Sequence, residues 1–513
     1  MTITAAFPGR HTAKASTENG IQAASATYAS DPGTEGVYSA PTARAPEAGL
    51  NRVAWRGSTI TGLGQVASAA IRLGANLIIT RLLLPEHFGL MALVTVFLVG
   101  LHLFSDIGIG PNIIQSQRGE DPRFLDTAWT VQAVRGALLW LAACVLGWPL
   151  ARLYDHAALV WLLPVAGLTA LVGGLESSRV HVLNRRLAFW PITLLDLGAQ
   201  LLSVLVMIGV ALVWRSVWAL VISNVASAVF RTVLSHTMLG GARPRWAWDR
   251  DARRTLFAFG RWIFVSTALG FLAAQSDRLI LGKLVTVEQL GLYAIAASLA
   301  AMPLQFAQKL GQAVFFPVVA AAMRRRDHDI RAVRTGRAKL LWALMPVVAL
   351  GVAVAPELVR LLYRPTFHAV GPLAALLLLG AWLGIVSTSY GVVLLAAGRP
   401  RALCVGLAVK LVLLTGLVAV VAPRFGLAGV ALVVGLSELG TLVVNLVASR
   451  DLHAASGVAD LAITAVGAVL VVAFMAGDAL ALRLTGSPVA AIAAVGIVGL
   501  GTSAVLFRKL RLT

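Results

Sequence analysis

From Ser58 to the end of the chain, apolar runs of about 20 residues recur between short polar turns. At 1.5 Å rise per residue, a helix of that length crosses a hydrocarbon core of roughly 30 Å. Runs such as "VGLAVKLVLLTGLVAVVA" (405–422) are apolar nearly all round, with Lys410 the one charge. Helical spans follow, because a β-barrel would alternate apolar and polar positions in segments of about ten residues. The pattern places fourteen spans, near 59–80, 88–110, 127–150, 157–176, 191–213, 217–239, 259–281, 289–313, 338–356, 370–397, 402–422, 427–449, 461–480 and 488–507. Turn chemistry marks many boundaries, as in "LLPEHFG" (83–89), "AAGRPRA" (396–402) and "VAPRFGLAG" (421–429). The fold class expected is an all-α polytopic membrane protein.

The first 57 residues break this pattern, being rich in Ala, Ser, Thr and Gly with no sustained apolar run. A disordered tail is expected there, and no apolar h-region of signal-peptide type precedes Ser58. Composition agrees with a membrane protein: 58% of residues are hydrophobic and 13% charged, against about 25% charged in soluble domains. Cys144 and Cys404 sit singly inside spans, which gives neither a disulfide framework nor a metal-ligand spacing.

Charge adds orientation. Lys and Arg flanking a span are retained on the cytoplasmic side. The loops after even-numbered spans together with both termini carry 28 basic residues, and the loops after odd-numbered spans carry 8. Both termini are therefore expected in the cytoplasm. The net charge of +20 sits mainly on these short loops, so topology accounts for it without nucleic acid; contacts with anionic lipid headgroups are a secondary expectation.

An internal repeat is visible. "LIITRLLLPEHFGLMAL" (77–93) aligns with "LILGKLVTVEQLGLYAI" (279–295) at an offset of 202: Leu77, Ile78, Leu82, Glu86, Gly89, Leu90 and Ala92 match Leu279, Ile280, Leu284, Glu288, Gly291, Leu292 and Ala294, and Arg81 matches Lys283 in charge. Both junctions fall on the same side, which makes the repeat parallel, with six spans per unit and two left over. The organisation expected is a tail (1–57), a six-helix bundle (58–240), a basic linker (241–257), a second six-helix bundle (258–450) and two further helices with a basic end (451–513). Two homologous bundles about an axis along the membrane normal, with a cavity between them, is a transporter architecture.

Seven basic residues fall inside spans: Arg72, Arg135, Arg231, Arg261, Arg278, Lys309 and Lys410. A basic side chain at a helix centre costs about 2.5–3.5 kcal/mol on insertion scales, so it faces a partner or a wet cavity. Arg231, Arg261 and Arg278 lie close enough to span ends to snorkel. Arg72, Arg135, Lys309 and Lys410 are the deeper ones. Acidic residues are fewer: Glu176 and Asp106 near cytoplasmic ends, Asp478 near an outer end, and Asp196, Asp277 and Glu438 within spans. A cationic cavity suits an anionic substrate, above all a phosphate or pyrophosphate that guanidinium grips in bidentate fashion. Arg72, Arg135, Lys309 and Lys410 are thus the substrate-binding candidates, with Arg278, Asp277, Glu438 and Asp196 as secondary cavity charges. The competing explanation is an ion pair fixing helix to helix, for which Lys410 with Glu438 is the best match. Trp129, Trp148, Trp161, Trp190, Trp214, Trp218, Trp262 and Trp342 lie near span ends, where an interfacial belt explains them. Pro164, Pro303, Pro317, Pro346, Gly173 and Gly174 are candidate bends.

The segments "LLPEHFGLMALVTVFLVGLHLFSDIGIGPNIIQ" (83–115), "LNRRLAFWPITLLDL" (183–197), "DRLILGKLVTVEQLGLYAIAASLAAMPLQ" (277–305) and "LLAAGRPRA" (394–402) resemble Wzx-type polysaccharide transporters, oligosaccharide flippases of the superfamily that holds the MATE exporters and the lipid II flippase. The resemblance runs from Trp55 to Ser449. It implies a MATE-like fold of two six-helix bundles plus two C-terminal helices. It implies as substrate an undecaprenyl-pyrophosphate-linked oligosaccharide, turned across a bacterial inner membrane for O-antigen, capsule or exopolysaccharide synthesis. It further implies coupling to a proton or sodium gradient rather than a bound cofactor, and a polysaccharide polymerase among the partners. Arg72 and Lys309 fit the family's basic cavity residues by location.

Two other readings compete with it. A cation-coupled exporter of small amphiphiles needs acidic cavity residues, and the deep charges here are mainly basic. A membrane-bound polymerase or ligase needs a substantial outer loop with catalytic Arg or His. The longest here, "ELVRLLYRPTFHA" (357–369), offers Arg360, Arg364 and His368. No P-loop, H-E-x-x-H or G-x-S-x-G occurs.

Overall fold

The computed structural model describes residues 47–512 except 107, 117, 241–243, 250–267, 317–318, 320–329, 453–456 and 486, with side chains described from 62 onward at most of these positions. Of the expected tail, residues 1–46 lie outside this range, and from Glu47 the chain is already helical. Arg261, Trp262 and Pro317 also lie outside it.

The described regular structure is helical throughout: α1 (Glu47–Leu82), α2 (Pro85–Phe104), α3 (Ile109–Gln115), α4 (Pro122–Tyr154), α5 (Leu159–Gly174), α6 (Arg179–Arg185), α7 (Phe189–Val213), α8 (Trp218–Thr237), α9 (268–284), α10 (Val287–Leu310), α11 (Ile330–Leu362), α12 (Val370–Ala396), α13 (Pro400–Ala448), α14 (Gly457–Thr485) and α15 (Pro488–Leu512). Ten of these runs are long and apolar enough to cross a membrane, and α5 and α6, bent by 60° from one another, pass the same test only when taken together. The run α13 is two helices joined at Gly426, whose φ of 57° and ψ of −149° suit a residue without Cβ. These runs do not by themselves establish the expected number of fourteen.

Local chemistry sets the ends. Pro85 opens α2, where its missing N–H would have had no partner. Thr286 caps α10 with a reciprocal box: its Oγ1 accepts from Gln289 N and Gln289 Oε1 accepts from Thr286 N, both at 3.3 Å. Of the candidate bends, the break falls directly after Gly174, while Pro164, Pro303 and Pro346 lie inside continuous helices.

Helices α1, α2, α4, α5, α7 and α8 pack on one another, as do α10 to α15, and α2 packs on α10 between the two groups. There the repeat becomes spatial. A Cβ on Gly89 would sit 1.9 Å from the Val287 carbonyl oxygen, and one on Gly291 would sit 1.9 Å from that of Pro85. Around this contact, the end that carries the odd-numbered loops (the odd end) is tied across the two groups. Lys283 Nζ donates to Leu153 O at 2.7 Å and to Asp155 Oδ2 at 2.9 Å. Its repeat mate Arg81 approaches Leu362 O at 3.5 Å, and Arg364 donates to Arg81 O at 3.0 Å. Tyr154 Oη donates to Leu279 O at 3.2 Å, and Asn76 Nδ2 donates to Tyr363 Oη at 3.3 Å.

Two features correct the loop picture. Arg337, expected on a basic loop, is 1% exposed inside α11. It donates to Ser389 Oγ at 3.1 Å and pairs with Asp460, which also accepts from Tyr390, so α14 is fastened to α11 and α12 by a buried polar network. The described part of the linker, 244–249, runs along the start of α4, where the N–H groups of Arg245, Ala247 and Asp249 donate to Asp126 Oδ1, Thr130 Oγ1 and Thr127 Oγ1, each at 3.1 Å.

Candidate functional site

Helix α1 carries Gln65, Ser68, Arg72 and Asn76 through an otherwise apolar span. At offsets of 3, 7 and 11 these fall along one side of the helix. Two cavities open along that side, of about 530 Å³ and 540 Å³, walled by α1, α7 and α8, with α2 and α6 each closing one of them. One reaches toward the end bearing the even-numbered loops (the even end) as far as Gly64 and Phe189, and the other toward the odd end as far as Ile79 and Leu220. Arg72, Asp196, Gln200 and Arg231 border both cavities and so form a waist between them.

The waist charges are not equivalent. Arg231 donates to Glu176 at 2.8 Å and to Asp196, so it is neutralised within the bundle. Arg72 has no ion pair or hydrogen bond among the described residues and is exposed to the cavities it borders. Lys309, at the end of α10, reaches Gln65 Oε1 across from the other helix group and lies within electrostatic reach of Arg72. The fold therefore sets Lys309 of the second repeat on Gln65, on the same side of α1 as Arg72.

The other candidates stand elsewhere. Arg135 does not border the Arg72 cavities. Its Nε donates to Ser105 Oγ at 2.8 Å and its Nη2 to His102 O at 2.6 Å, in a separate pocket of about 320 Å³ with His102, Asp106, Glu176 and His181. Lys410 is ion-paired with Glu438 in a largely buried setting, side chains 16% and 13% exposed, and borders neither Arg72 cavity. Lys410 and Glu438 thus follow the helix-fixing alternative. Asp196 serves as partner to Arg231. Asp277 accepts from Tyr293 Oη at 2.6 Å while its Oδ1 is buried without a partner among the described residues, and Arg278 donates to Gln275 Oε1 at 3.0 Å. Arg231, expected to snorkel, is instead the centre of a triad.

Sequence reasoning passed over the carboxamides. Gln200 accepts from Ser68 Oγ at 2.6 Å and donates to Ser68 O at 2.8 Å, joining α7 to α1. Asn184 borders the even-end cavity and Asn224 the odd-end cavity. For Asn224 the signal was available in the sequence, since an amide in an apolar span is as anomalous as a charge, whereas Asn184 sits among Arg179, Arg185 and Arg186 on the short helix α6 and carries no such signal. None of the described tryptophans expected in an interfacial belt borders either cavity. Of the loop residues that would serve an enzyme, Arg360 is bound to Glu357 and Arg364 to the Arg81 carbonyl.

Comparison with known proteins shows a family and a fold. Residues 78–371 match the family described as polysaccharide biosynthesis protein. The chain is 22% identical over 299 residues to the teichuronic acid biosynthesis protein TuaB of Bacillus subtilis (strain 168), covering 57% of this chain and 61% of that one. It is 22% identical over 256 residues to the succinoglycan biosynthesis transport protein ExoT of Rhizobium meliloti (strain 1021), covering 50% and 51%. The matches thus span between half and three-fifths of those two relatives. Among solved structures, the lipid II flippase MurJ in an inward closed conformation superposes with a TM-score of 0.66 at 10% identity, covering 87% of this chain and 99% of MurJ. An inward-facing MATE family multidrug resistance transporter superposes at 0.57 with 14% identity, covering 74% and 94%. The fold is therefore the MurJ and MATE fold, and the chain belongs to the polysaccharide biosynthesis protein family.

Proposed function

We propose that the protein is a flippase that carries an undecaprenyl-pyrophosphate-linked oligosaccharide from the cytoplasmic to the outer leaflet of a bacterial inner membrane. The observation that carries this reading is Arg72: a guanidinium inside a span, at the waist between two cavities, without an ion pair or hydrogen bond among the described residues, and with Lys309 within electrostatic reach. An unpaired cation at that depth is costly unless a ligand or water meets it. A pyrophosphate offers two anionic groups, and a guanidinium fork matches phosphate oxygens in pairs. The two cavities are of a size that holds organic ligands, while the lipid tail stays in the bilayer.

Transport then requires alternating access. The even end, rich in Arg and Lys, is the cytoplasmic face in this reading, with both termini there. The cross-repeat ties at the odd end hold the outer side shut while the headgroup enters from the cytoplasm, and their release lets it leave. A proton or sodium gradient drives the cycle, and a polymerase takes the product.

The test is the sidedness of lipid-linked oligosaccharide in cells lacking the gene, complemented with wild type, Arg72→Ala or Arg424→Ala. We expect complete units to accumulate on the cytoplasmic leaflet and to be cleared by wild type and by Arg424→Ala, a surface change at the odd end, but not by Arg72→Ala. Units that reach the outer leaflet and stay unpolymerised in the deletion strain would overturn the flippase reading. Equal complementation by both variants would remove Arg72 from the site.

A further inference from the structure

Beyond the cation at the waist, the two cavities differ from an apolar transmembrane interior in carrying carboxamides. Amides inside spans ordinarily act as glue, each bonded across to a neighbouring helix. Gln200 does this with Ser68. The side chains of Asn184 and Asn224 form no hydrogen bond with any described residue, yet each borders a cavity, Asn184 on the even side of Arg72 and Asn224 on the odd side. Asn184 is half-buried and Asn224 exposed, so each amide is open to a polar group that enters the cavity it borders.

We infer that Asn184 and Asn224 are two saccharide seats, one on each side of the Arg72 waist, that hydrogen-bond the hydroxyl and acetamido groups of the glycan. This rests on the flippase reading and assigns it a carbohydrate-recognition element. The chemistry fits the ligand class. A carboxamide offers two N–H donors and a carbonyl with two lone pairs, which matches a sugar hydroxyl that both donates and accepts. Gln200 spends one donor and one acceptor on Ser68 and keeps one of each for the space both cavities share.

The placement also gives an order. With the pyrophosphate on Arg72, a glycan lying in the even-side cavity meets Asn184, and one lying in the odd-side cavity meets Asn224. The sugar is thus handed from one amide to the other as the headgroup passes the waist, without ever being stripped of hydrogen-bond partners.

The experiment compares two probes on the purified full-length chain in nanodiscs: undecaprenyl pyrophosphate, and the lipid-linked oligosaccharide that accumulates in cells lacking the gene. Variants are Asn184→Leu, Asn224→Leu and the double change. Because neither amide has a side-chain hydrogen bond among the described residues, removing it should leave the packing intact, which a melting curve checks. We expect wild type to prefer the glycan-bearing lipid. The preference should fall about three- to tenfold for each amide, the range of one neutral hydrogen bond, while affinity for undecaprenyl pyrophosphate stays unchanged. A wild type with no preference, or variants that keep the full preference, would overturn the seats and leave the Arg72 grip standing. Failure of wild type to bind either lipid would defeat the flippase reading, and the seats with it.

Discussion

Gly89 and Gly291 stand 202 positions apart and meet face to face where the two helix groups join: a Cβ on Gly291 would lie 1.9 Å from Pro85 O and 3.0 Å from Gly89 N, and one on Gly89 would lie 1.9 Å from Val287 O. Pro85 and Val287 are themselves related by the same offset. The contact is reciprocal in the way of a twofold interface, residue i on j and j on i, within a single chain.

A side chain at either position has to push backbone apart, since the nearest atoms are carbonyl oxygens rather than flexible side-chain ends. Gly291→Ala should therefore lower stability by about 1–3 kcal/mol or more, the range for overpacking. The same change at Gly416, where a Cβ meets nothing within 4 Å, should be neutral or mildly stabilising because helix interiors favour Ala over Gly. Thermal melts of the two variants in detergent decide it, and equal melts would refute the close contact.

The ties at the odd end should be individually weak. Lys283 and Asp155 have side chains 53% and 81% exposed, and exposed pairs contribute about 0.2–1 kcal/mol. Removing Lys283 and Arg364 together should thus favour opening of the odd end only several-fold. A single cysteine at Ile79, 2% exposed, in a background lacking Cys144 and Cys404, reports this through its labelling rate with a membrane-impermeant reagent applied from the odd side. A rate unchanged from the parent would mean that the ties do not hold that end shut.

The network of Arg337, Asp460 and Tyr390 predicts a different pattern. Removing one member of a buried pair is costly, so Asp460→Ala should cost about 3–5 kcal/mol, whereas replacing both charges with apolar groups, as in Arg337→Met with Asp460→Leu, should restore part of that. A melting series over the single and double variants tests it. Additive losses would show that the two side chains do not act as a pair.

Lys410 and Glu438 offer the contrast with Arg72. If their role is to fix helices, the charge reversal Lys410→Glu with Glu438→Lys should retain oligosaccharide export, while each single reversal impairs it. No second change among the described residues should rescue Arg72→Glu, because Arg72 has no protein partner there. Export measured as surface polysaccharide separates these outcomes, and a silent single reversal at Lys410 would remove the pair from the structure's essentials.

The linear pattern determined what depends on it alone. Runs of about 20 apolar residues must become membrane helices because only internally bonded backbone survives in hydrocarbon. Turn residues set their ends, and the 202-residue offset showed that the chain had been built twice. Tertiary structure decided which buried charges are free. In sequence, Arg72, Arg135, Arg231, Lys309 and Lys410 look alike, each a cation in an apolar run. Folding gives Arg231 two carboxylates from α7 and the α5–α6 break, gives Lys410 one from the second half of α13, sets Arg135 in a pocket of its own, and brings Lys309 of the other repeat within electrostatic reach of Arg72. Partners lie tens to hundreds of residues away, so spacing along the chain carries no trace of them. The same holds for the amides: whether an Asn in a span is glue or ligand contact is settled by what faces it across a few ångströms, and only the packed helices determine that.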